Sequence, residues 1–411
     1  MTSRYNIDPM VALFAAIGII GLATGFWLKE PLYDHPQALG VHTIGLLVPF
    51  VGSTAFAVAA VFLDRFGPRT IAATFGLFLV LIVPLVDLLS LPITHPEGND
   101  SYRYSVYAHH ILKERTLWGA GGLLHSFDYY FDQPGYRYYL AATIGLLGGE
   151  HRGLQLFNMA VLLSGTLGLL WTIQPSKRRP EIRGLAVFLL GAAPYAAKNV
   201  LNGYTEWFVV LLFMLFVTQA LRHRWLTSII LISLIPFVRQ NLLAVSLILA
   251  IGIVLTTRNY WLILPYFFLL GLPIYHNLYY ADQFLFFTKT GLPVELGTDL
   301  LENIRNIARK AFSKIPHYLG YKTKQDLDTL AIAVMFAPFG TGLSFWLFSR
   351  LESWRRWVYF LVIASAVGPT MIFGWGSFPR FVYVNLFVII LSFWVVNELQ
   401  LNQAEEFEGT H

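Results

Sequence analysis

The chain has 411 residues, of which 56% are hydrophobic and 13% are charged, with a formal net charge of +5 and a mean hydropathy of +0.56. Soluble domains carry about 25% charged residues, so this composition excludes an ordinary soluble enzyme and indicates a polytopic helical membrane protein. Because cysteine is absent, disulfides, thiolate nucleophiles and Cys-ligated metals are excluded. The pI near 9.2 fits contact with anionic membrane lipids, and no basic run of the nucleic-acid-binding kind occurs.

Apolar runs recur along the whole chain, and each can cross a hydrocarbon core of roughly 30 Å. They predict an all-α protein with about twelve transmembrane helices in one domain, residues 1–411. The predicted spans are 9–28, 40–63, 71–92, 153–173, 183–200, 204–221, 225–238, 241–256, 259–275, 328–349, 357–376 and 381–397. The first run lacks a small-residue cleavage site, so we expect it to remain as a span.

Lysine and arginine in the short loops predict the orientation of these spans. The cytoplasmic loops are predicted to be 64–70, 175–183, 222–224, 256–260 and 349–356. Because successive spans alternate in direction, 94–152 and 276–327 become two large outer loops. We expect a multi-pass protein of a bacterial or archaeal plasma membrane. The seven lysines and arginines of 276–327 would favour the inside instead. Merging 225–256 into one helix would place 276–327 in the cytoplasm, but it would also place the basic segment 349–356 outside.

Three loop segments are predicted to be helices at the membrane surface. The run 136–149 has about 14 residues, roughly 21 Å as a helix, so we expect it to dip in from the outer face. The segments 101–115 and 299–315 have the apolar spacing of amphipathic helices. The predicted apolar positions are Tyr104, Tyr107, Ala108, Ile111 and Leu112 in the first, and Leu300, Ile304, Ile307, Ala308, Ala311, Phe312 and Ile315 in the second.

The outer segments contain the residue types that group transfer to a hydroxyl requires. A carboxylate can take the acceptor proton, and Asp100 and Asp132 lie near the ends of a polar stretch in the first outer loop. Arginine can stabilise a departing phosphate, and Arg239 and Arg380 lie at predicted outer ends of spans, where an unpaired charge is costly. Glu206 enters its span at the same face and either pairs with an arginine or faces water.

Each of these residues also has a structural explanation. Asp100 precedes an amphipathic helix and can cap it, and Asp132 precedes a Gln-Pro-Gly turn in which an Asx turn is favoured. Arg380 follows Pro379 at a span entrance and can act as a snorkelling anchor. Glu97 can replace either aspartate as the base.

Metal and cofactor chemistry find little support in the sequence. His109, His110 and His125 share the first outer loop, but their spacing matches no zinc pattern, so we expect no metal. No glycine-rich phosphate loop in strand–helix context and no convincing hydrolase nucleophile elbow occurs, and no soluble segment has room for a nucleotide-sugar domain. We therefore expect no cofactor.

The layout and several motifs resemble the GT-C superfamily of integral membrane glycosyltransferases. Its members include protein O-mannosyltransferases, dolichol-linked mannosyl- and glucosyltransferases and bacterial lipid A aminoarabinose transferases. "GNDSYRYSVYAHHIL" (98–112) is similar to the acidic start of the family's first outer loop. "FDQPGYRYYLAATIGLLGGEHRGLQLFN" (131–158) resembles its Pro-containing entry into a membrane helix. "NGYTEWFVVLLFMLFVTQALRHRW" (202–225) with "FVRQN" (237–241), and "FPRFVYVNLFVIIL" (378–391), resemble later spans of mannosyltransferase branches and of lipid-phosphate-sugar users.

The resemblance implies an inverting transfer of a sugar from a polyprenyl-phosphate donor to a lipid, glycan or protein hydroxyl at the outer membrane face. It implies Asp100 as the catalytic base or acceptor-binding acid and Arg380 as a ligand of the donor phosphate. The further substrate-binding residues implied are Asp132, Arg137, Glu206 and Arg239. The chain departs from metal-dependent oligosaccharyltransferases because Asn99, and not a second carboxylate, precedes Asp100.

Two other functions fit a chain of this kind. A transporter or flippase typically shows inverted repeats around a site at the midplane, whereas this chain has no internal repeat and its candidate residues cluster at one face. An O-antigen polymerase or ligase also uses polyprenyl-linked sugars and outer-loop arginines. Its functional loop usually lies late in the chain, whereas here the first outer loop is the acidic one.

Overall fold

The computed structural model describes twelve α-helices and two short 3-10 helices, with no strand among the described residues. The described residues are 100–117, 134–148, 151–173, 180–201, 203–281, 284, 302, 305, 306, 309, 327–372 and 379–399. This all-helical part agrees with the predicted fold class. The predicted spans 9–28, 40–63 and 71–92, and also Asp132, lie outside the described residues.

The helices are numbered here in chain order. They are α1 (Asp100–Glu114), α2 (Pro134–Leu147), α3 (His151–Thr172), α4 (Pro180–Leu201), α5 (Thr205–Leu221), α6 (Trp225–Val238), α7 (Leu243–Thr257), α8 (Ile263–Leu270), α9 (Leu272–Ala281), α10 (Leu327–Arg350), α11 (Ser353–Ile372) and α12 (Pro379–Glu398). The 3-10 helices are Gln240–Leu242 and Tyr260–Leu262.

Most predicted spans in the described part coincide with single helices. The predicted spans from 153 to 256 and from 328 to 397 each correspond to one helix of α3–α7 or α10–α12. The predicted span 259–275 is wrong in its end: the helix breaks at Gly271 and continues as α9 to Ala281. The residues 276–281, which were predicted to open the second outer loop, are therefore helical. Within its predicted helix 299–315, the described residues 302, 305, 306 and 309 are helical.

Three helical segments of the described part are long and apolar enough to cross a membrane. They are Gln240–Thr257, Tyr260–Tyr280 and Arg380–Glu398. Arg380–Glu398 is 89% buried over its apolar window and lies inside the bundle, whereas Tyr260–Tyr280 is 28% buried and presents an apolar surface outward. An exposed apolar helix of this length is typical of lipid contact. The arrangement of twelve spans remains a prediction for the whole chain.

The segment 225–256 is not one helix, so the alternative in which it forms a single span is wrong. Pro236 lies in the last turn of α6, and Arg239 follows in an extended conformation with φ −143° and ψ 97°. The hydroxyl of Ser246 in α7 donates a hydrogen bond of 2.7 Å to the carbonyl of Ile232 in α6, so the two helices pack side by side. Arg239 is therefore held in a break between two helices at one end of the bundle.

The basic turns lie together at the other end of the bundle. After α5, Arg222 Nε donates a hydrogen bond of 3.1 Å to Thr172 Oγ1 at the end of α3. After α10, Arg350 Nε donates a bond of 3.0 Å to Glu181 Oε1 at the start of α4, and Arg355 Nε binds the backbone just past α12. We call this the basic end. Because α5 ends there, its first turn with Glu206 lies at the opposite end, which we call the Glu206 end.

Helices α1 and α2 pack as a parallel pair. Near their starts, the rings of Tyr104 and Tyr136 meet edge to face with centroids 5.4 Å apart. Near their ends, Leu112 lies 3.3 Å from where a Cβ on Gly145 would be. Sequence position therefore rises in the same direction along both helices, and Asp100, the first residue of α1, lies at the end of the pair where α2 begins.

The amphipathic pattern predicted for 101–115 is confirmed as helix α1, and its apolar face packs on α2. Tyr107, Ala108 and Ile111 are buried and Tyr104 packs beside them. Leu112 was predicted to belong to this face but is 40% exposed. A partner helix covers the centre of an amphipathic face and leaves its margin open. The predicted run 136–149 is helical as part of α2 up to Leu147, and its dip into the membrane remains a prediction.

The start of α2 is pressed against the end of α6. A Cβ on Gly135 would lie 2.6 Å from Phe237 Cδ1, 3.0 Å from Phe237 O and 3.1 Å from Val238 Cγ2. A residue without a side chain is therefore required at this contact. The close approach explains the Pro-Gly pair at the start of α2 and fixes α2 beside Arg239.

Replacing Gly135 with Ala is expected to lower the free energy of unfolding by about 1–3 kcal/mol, because the added methyl overlaps the Phe237 ring and carbonyl. Thermal or denaturant unfolding in detergent measures the change. Gly168→Ala in α3 is the matched control, because no described atom lies within 4 Å of its added Cβ. That control should gain about 0.5–1 kcal/mol from its higher helix propensity. Equal stabilities of the two variants would contradict a tight contact at Gly135.

Candidate functional site

The turn between α4 and α5 places Glu206 at the start of a helix. The N–H of Gly203 donates to the carbonyl of Val200, and the N–H of Tyr204 donates to that of Asn199, both at 3.0 Å. This is the Schellman arrangement, in which the residue after the cap adopts a positive φ, here 64° at Gly203. Helix α5 starts directly afterwards, so the Glu206 carboxylate lies in its first turn, where the helix dipole favours a negative charge.

Two arginines from different helices converge on the carboxylate of Glu206. Arg239 Nη2 donates a hydrogen bond to Glu206 Oε1, and Arg380 Nε lies 3.6 Å from the same oxygen. The Glu206 side chain is 1% exposed, that of Arg239 is 8% exposed and that of Arg380 is 21% exposed. We call these three residues the Glu206 cluster. Arg239 is thus the closer and more buried partner, and Arg380 is the more distant and more exposed one.

Aromatic rings line the Glu206 cluster. The guanidinium carbon of Arg239 lies 4.5 Å from the ring centroid of Phe381, and that of Arg380 lies 5.2 Å from the centroids of both Phe381 and Tyr204. Guanidinium groups over aromatic faces gain cation–π attraction, which strengthens where water is excluded. The rings therefore hold both arginines in place without neutralising their charges.

The first two turns of α2 cover this region. The hydroxyl of Tyr136 donates a hydrogen bond of 3.1 Å to the carbonyl of Gly203, and Trp207 Nε1 donates one of 3.2 Å to the Tyr136 oxygen. Burial raises the pKa of Tyr136 well above its usual value, so the phenol stays protonated and can serve as the donor. Tyr139 hydrogen bonds to Asn158 at 2.5 Å. Through these bonds α2 is fixed over the turn that precedes Glu206.

Arg137 belongs to a different group of side chains, between α1, α2 and α9. It is 1% exposed, its guanidinium lies 4.9 Å from the centroid of the Tyr107 ring, and it interacts electrostatically with His276. The hydroxyl of the neighbouring Tyr138 hydrogen bonds to His276 Nδ1. The Tyr138 ring also packs on Phe237, which precedes Arg239 in the chain, with centroids 5.6 Å apart.

The structure thus brings Glu206, Arg239 and Arg380 together and places Arg137 in a neighbouring group. Sequence analysis missed Tyr138 and His276. The available signal was His276 and the adjacent Asn277 within a largely apolar helix, where a buried polar residue needs a partner.

Asp100 lies at the same end of the bundle as the Glu206 cluster. It opens α1, which runs parallel to α2, and α2 begins against the end of α6 next to Arg239. An acidic residue in a first helical turn is favoured by the helix dipole, which is a structural explanation for Asp100. At the other end of α1, His110 Nδ1 lies 3.0 Å from Glu114 Oε1. No group of three or more His, Asp or Glu side chains among the described residues could hold a metal ion.

Comparison with protein-family models, with curated proteins and with solved structures finds no match for this chain. What the protein does must therefore be inferred from the chemistry of the Glu206 cluster and its surroundings. The two arginines beside Glu206 are of the residue type that binds phosphate and carboxylate oxygens with several N–H donors.

Proposed function

We propose that the protein is a GT-C-type glycosyltransferase of the membrane. It moves a sugar from a polyprenyl-phosphate donor to a hydroxyl of a lipid, glycan or protein acceptor, with inversion and without a metal. The observation that carries the proposal is the convergence of Arg239 and Arg380 on Glu206, at the end of the bundle opposite the basic turns. Three apolar helices of spanning length support a membrane location.

Arg380 is the proposed ligand of the donor phosphate. Its side chain is 21% exposed, and its Nε lies 3.6 Å from Glu206 Oε1, so the guanidinium is held in position at the more open side of the cluster. As the bond between the anomeric carbon and the phosphate oxygen breaks, negative charge grows on the leaving phosphate. A cation already held in position stabilises that charge without further reorganisation.

Asp100 is the proposed base. Its carboxylate would take the proton of the acceptor hydroxyl as the acceptor oxygen forms a bond to the anomeric carbon on the face opposite the leaving phosphate. One such displacement inverts the anomeric configuration. The parallel packing of α1 on α2 supports this role because it brings the start of α1 to the Glu206 end.

Asp132 and Arg137 are proposed to bind substrate on either side of the start of α2. Asp132 directly precedes the Gln-Pro-Gly segment that docks on α6. Arg137 adds a further positive charge, against the Tyr107 ring of α1. Both would act on the acceptor, since α1 and α2 together form the cover of the site.

We propose that the Glu206 end faces the outside of the cell. The positive-inside rule places short basic loops in the cytoplasm, and the turns with Arg222, Arg258 and Arg350 supply such loops. Polyprenyl-phosphate sugars would then be used at the outer face of a plasma membrane. The protein would be multi-pass, with membrane lipids around its apolar helices.

Single cysteines are expected to report this orientation, because the natural chain contains none. In intact cells, Leu117→Cys at the end of α1, which is 50% exposed, should react with a charged, membrane-impermeant maleimide. His223→Cys in the basic turn after α5 should react only after the cells are broken open. The reverse pattern would place the Glu206 end inside and contradict the proposed face of the reaction.

A transfer assay tests the function. Purified protein in detergent or liposomes is mixed with a panel of polyprenyl-phosphate sugars, each radiolabelled in the sugar, and with extracted membrane lipids. We expect labelled sugar to pass to an acceptor and free polyprenyl phosphate to accumulate in equal amount, with no requirement for added divalent metal. If every donor of the panel stays intact while the folded protein carries lipids across liposome membranes, the enzyme proposal is replaced by a transporter.

A further inference from the structure

We propose that the turn between α7 and α8 is a binding site for an anionic phospholipid. Arg258 in this turn contacts the phosphate of the headgroup, and exposed apolar side chains of α7 and α8 contact the acyl chains. The lipid remains bound to the protein and is not a substrate. Such binding needs only a membrane location and is independent of sugar transfer.

The turn between α7 and α8 lies at the basic end of the bundle. A Cβ on Gly252 in α7 would lie 2.8 Å from Leu399 Cδ1, so the second half of α7 packs beside the end of α12. The carbonyl of Leu399 accepts the hydrogen bond from Arg355 Nε that belongs to the basic end. Because Arg258 directly follows α7, it lies at the basic end as well.

Arg258 connects two helical segments that face outward. Gln240–Thr257 and Tyr260–Tyr280 are both long and apolar enough to cross a membrane, and fewer than half of the residues in the apolar window of each are buried. Two consecutive segments of this kind present their apolar surfaces to lipid. The residue that joins them therefore lies at the level of the headgroups, on the side of the bundle that lipids surround.

The backbone of Arg258 has a conformation that arginine rarely adopts. Its φ of 52° and ψ of 17° are left-handed, directly after the end of α7. Glycine is the usual residue at such a position, because a Cβ makes the conformation unfavourable. The helix dipole favours a positive charge near a helix end, but a basic residue in the last turn of α7 would supply that charge without strain. The conformational cost therefore points to a role for the arginine side chain at this place.

Arg258 differs from its neighbours at the basic end in its contacts. Arg222 hydrogen bonds to Thr172, and Arg350 pairs with Glu181. Arg258 is exposed, and no hydrogen bond or ion pair joins its side chain to another residue of the described part of the chain. An arginine at headgroup level attracts anionic lipids, and its guanidinium can bind phosphate oxygens through several N–H groups. Charge complementarity thus favours an anionic headgroup as the occupant.

The side chains beside Arg258 change in character with distance from the turn. Tyr260 and Trp261 follow immediately and are 67% and 78% exposed. Tyrosine and tryptophan are enriched where the hydrocarbon core meets the headgroups. Further along both helices the large exposed side chains are apolar: Ile251 and Leu255 on α7, and Leu264, Phe267 and Phe268 on α8. The order of charge, aromatic ring and apolar side chain matches the order of phosphate, interface and acyl chain in a phospholipid.

Native mass spectrometry of the purified full-length protein tests the proposal, because it resolves each bound lipid. The protein in an uncharged detergent is titrated with dioleoyl phosphatidylglycerol or with dioleoyl phosphatidylcholine. The two lipids share their acyl chains and differ in headgroup charge. The first phosphatidylglycerol should bind more tightly than the first phosphatidylcholine. No sugar donor is present, so failure of the lipid site and failure of the proposed function are distinguished.

Substitutions of Arg258 separate its charge from its backbone conformation. Arg258→Gln and Arg258→Gly both remove the charge, and each should weaken binding of the first phosphatidylglycerol by about fivefold while phosphatidylcholine binding is unchanged. Arg258→Lys keeps a cation and should retain most of the preference. Arg258→Gly should unfold at a higher temperature than Arg258→Gln, because only glycine relieves the left-handed strain.

Arg115→Gln is the matched control. Arg115 is also exposed and left-handed, with φ 55°, but it follows the amphipathic helix α1. Its loss should leave both dissociation constants unchanged. Equal affinity of the natural protein for the two lipids, unchanged phosphatidylglycerol binding in Arg258→Gln, or an equal loss in Arg115→Gln would each overturn the proposal. Recovery of a dimer without retained lipid would assign the exposed face to a second copy of the chain and would also overturn it.

Discussion

Replacing Arg239 with Met is expected to lower the free energy of unfolding by about 3–5 kcal/mol. Glu206 is 1% exposed, and removal of its closest cation leaves a buried carboxylate that must either stay charged or take up a proton. Equilibrium unfolding in detergent, followed by tryptophan fluorescence, measures the loss. Arg350→Met is the matched control, since Arg350 forms a comparable ion pair with Glu181 but its side chain is 51% exposed.

The control should change the free energy of unfolding by no more than about 1 kcal/mol, because exposed ion pairs contribute little. Combining Arg239→Met with Glu206→Gln removes both charges and should recover part of the loss, which a double-mutant cycle expresses as a coupling energy. If Arg239→Met costs no more than Arg350→Met, the Glu206–Arg239 pair is not a buried structural unit.

The sequence predicted helices best where long apolar runs are separated by charged residues. Apolar runs predicted most helices from 153 onward within a few residues. A long run of apolar side chains is by itself a helix signal, whether those side chains are buried in the protein or face lipid. Arg239 between two short runs predicted the break after α6, because a charge there must find a partner. The same reasoning selected Glu206 and Arg380, and the structure places both beside Arg239.

Tertiary contacts explain what the sequence did not reveal. Arg137 was grouped with the other arginines, but its neighbours come from α1 and α9, and no local pattern specifies which helices pack around α2. The requirement for Gly135 depends on Phe237, a residue about 100 positions later in the chain. The end of α9 was misplaced because His276 and Tyr280 interrupt the hydrophobic pattern while they pack against α1 and α2.

Asp100→Asn is expected to lower the rate of sugar transfer by about 10²–10⁴-fold, because an amide cannot accept the acceptor proton. Binding of citronellyl methyl phosphate, a short phosphodiester that stands in for the donor phosphate, should stay unchanged, since Arg380 and not Asp100 is the proposed phosphate ligand. Single-turnover transfer with the most active donor measures the first effect, and calorimetry measures the second. Glu114→Gln is the matched control, because Glu114 is an acidic residue at the far end of the same helix.

The comparison separates the chemical role of Asp100 from a capping role. Asparagine is as good a residue as aspartate near a helix start, so Asp100→Asn should leave α1 and the free energy of unfolding nearly intact. A large loss of transfer without a loss of stability therefore assigns proton transfer to Asp100. Full activity of Asp100→Asn would remove that assignment, and Asp132→Asn in the same assay would then decide whether the base lies at the start of α2 instead.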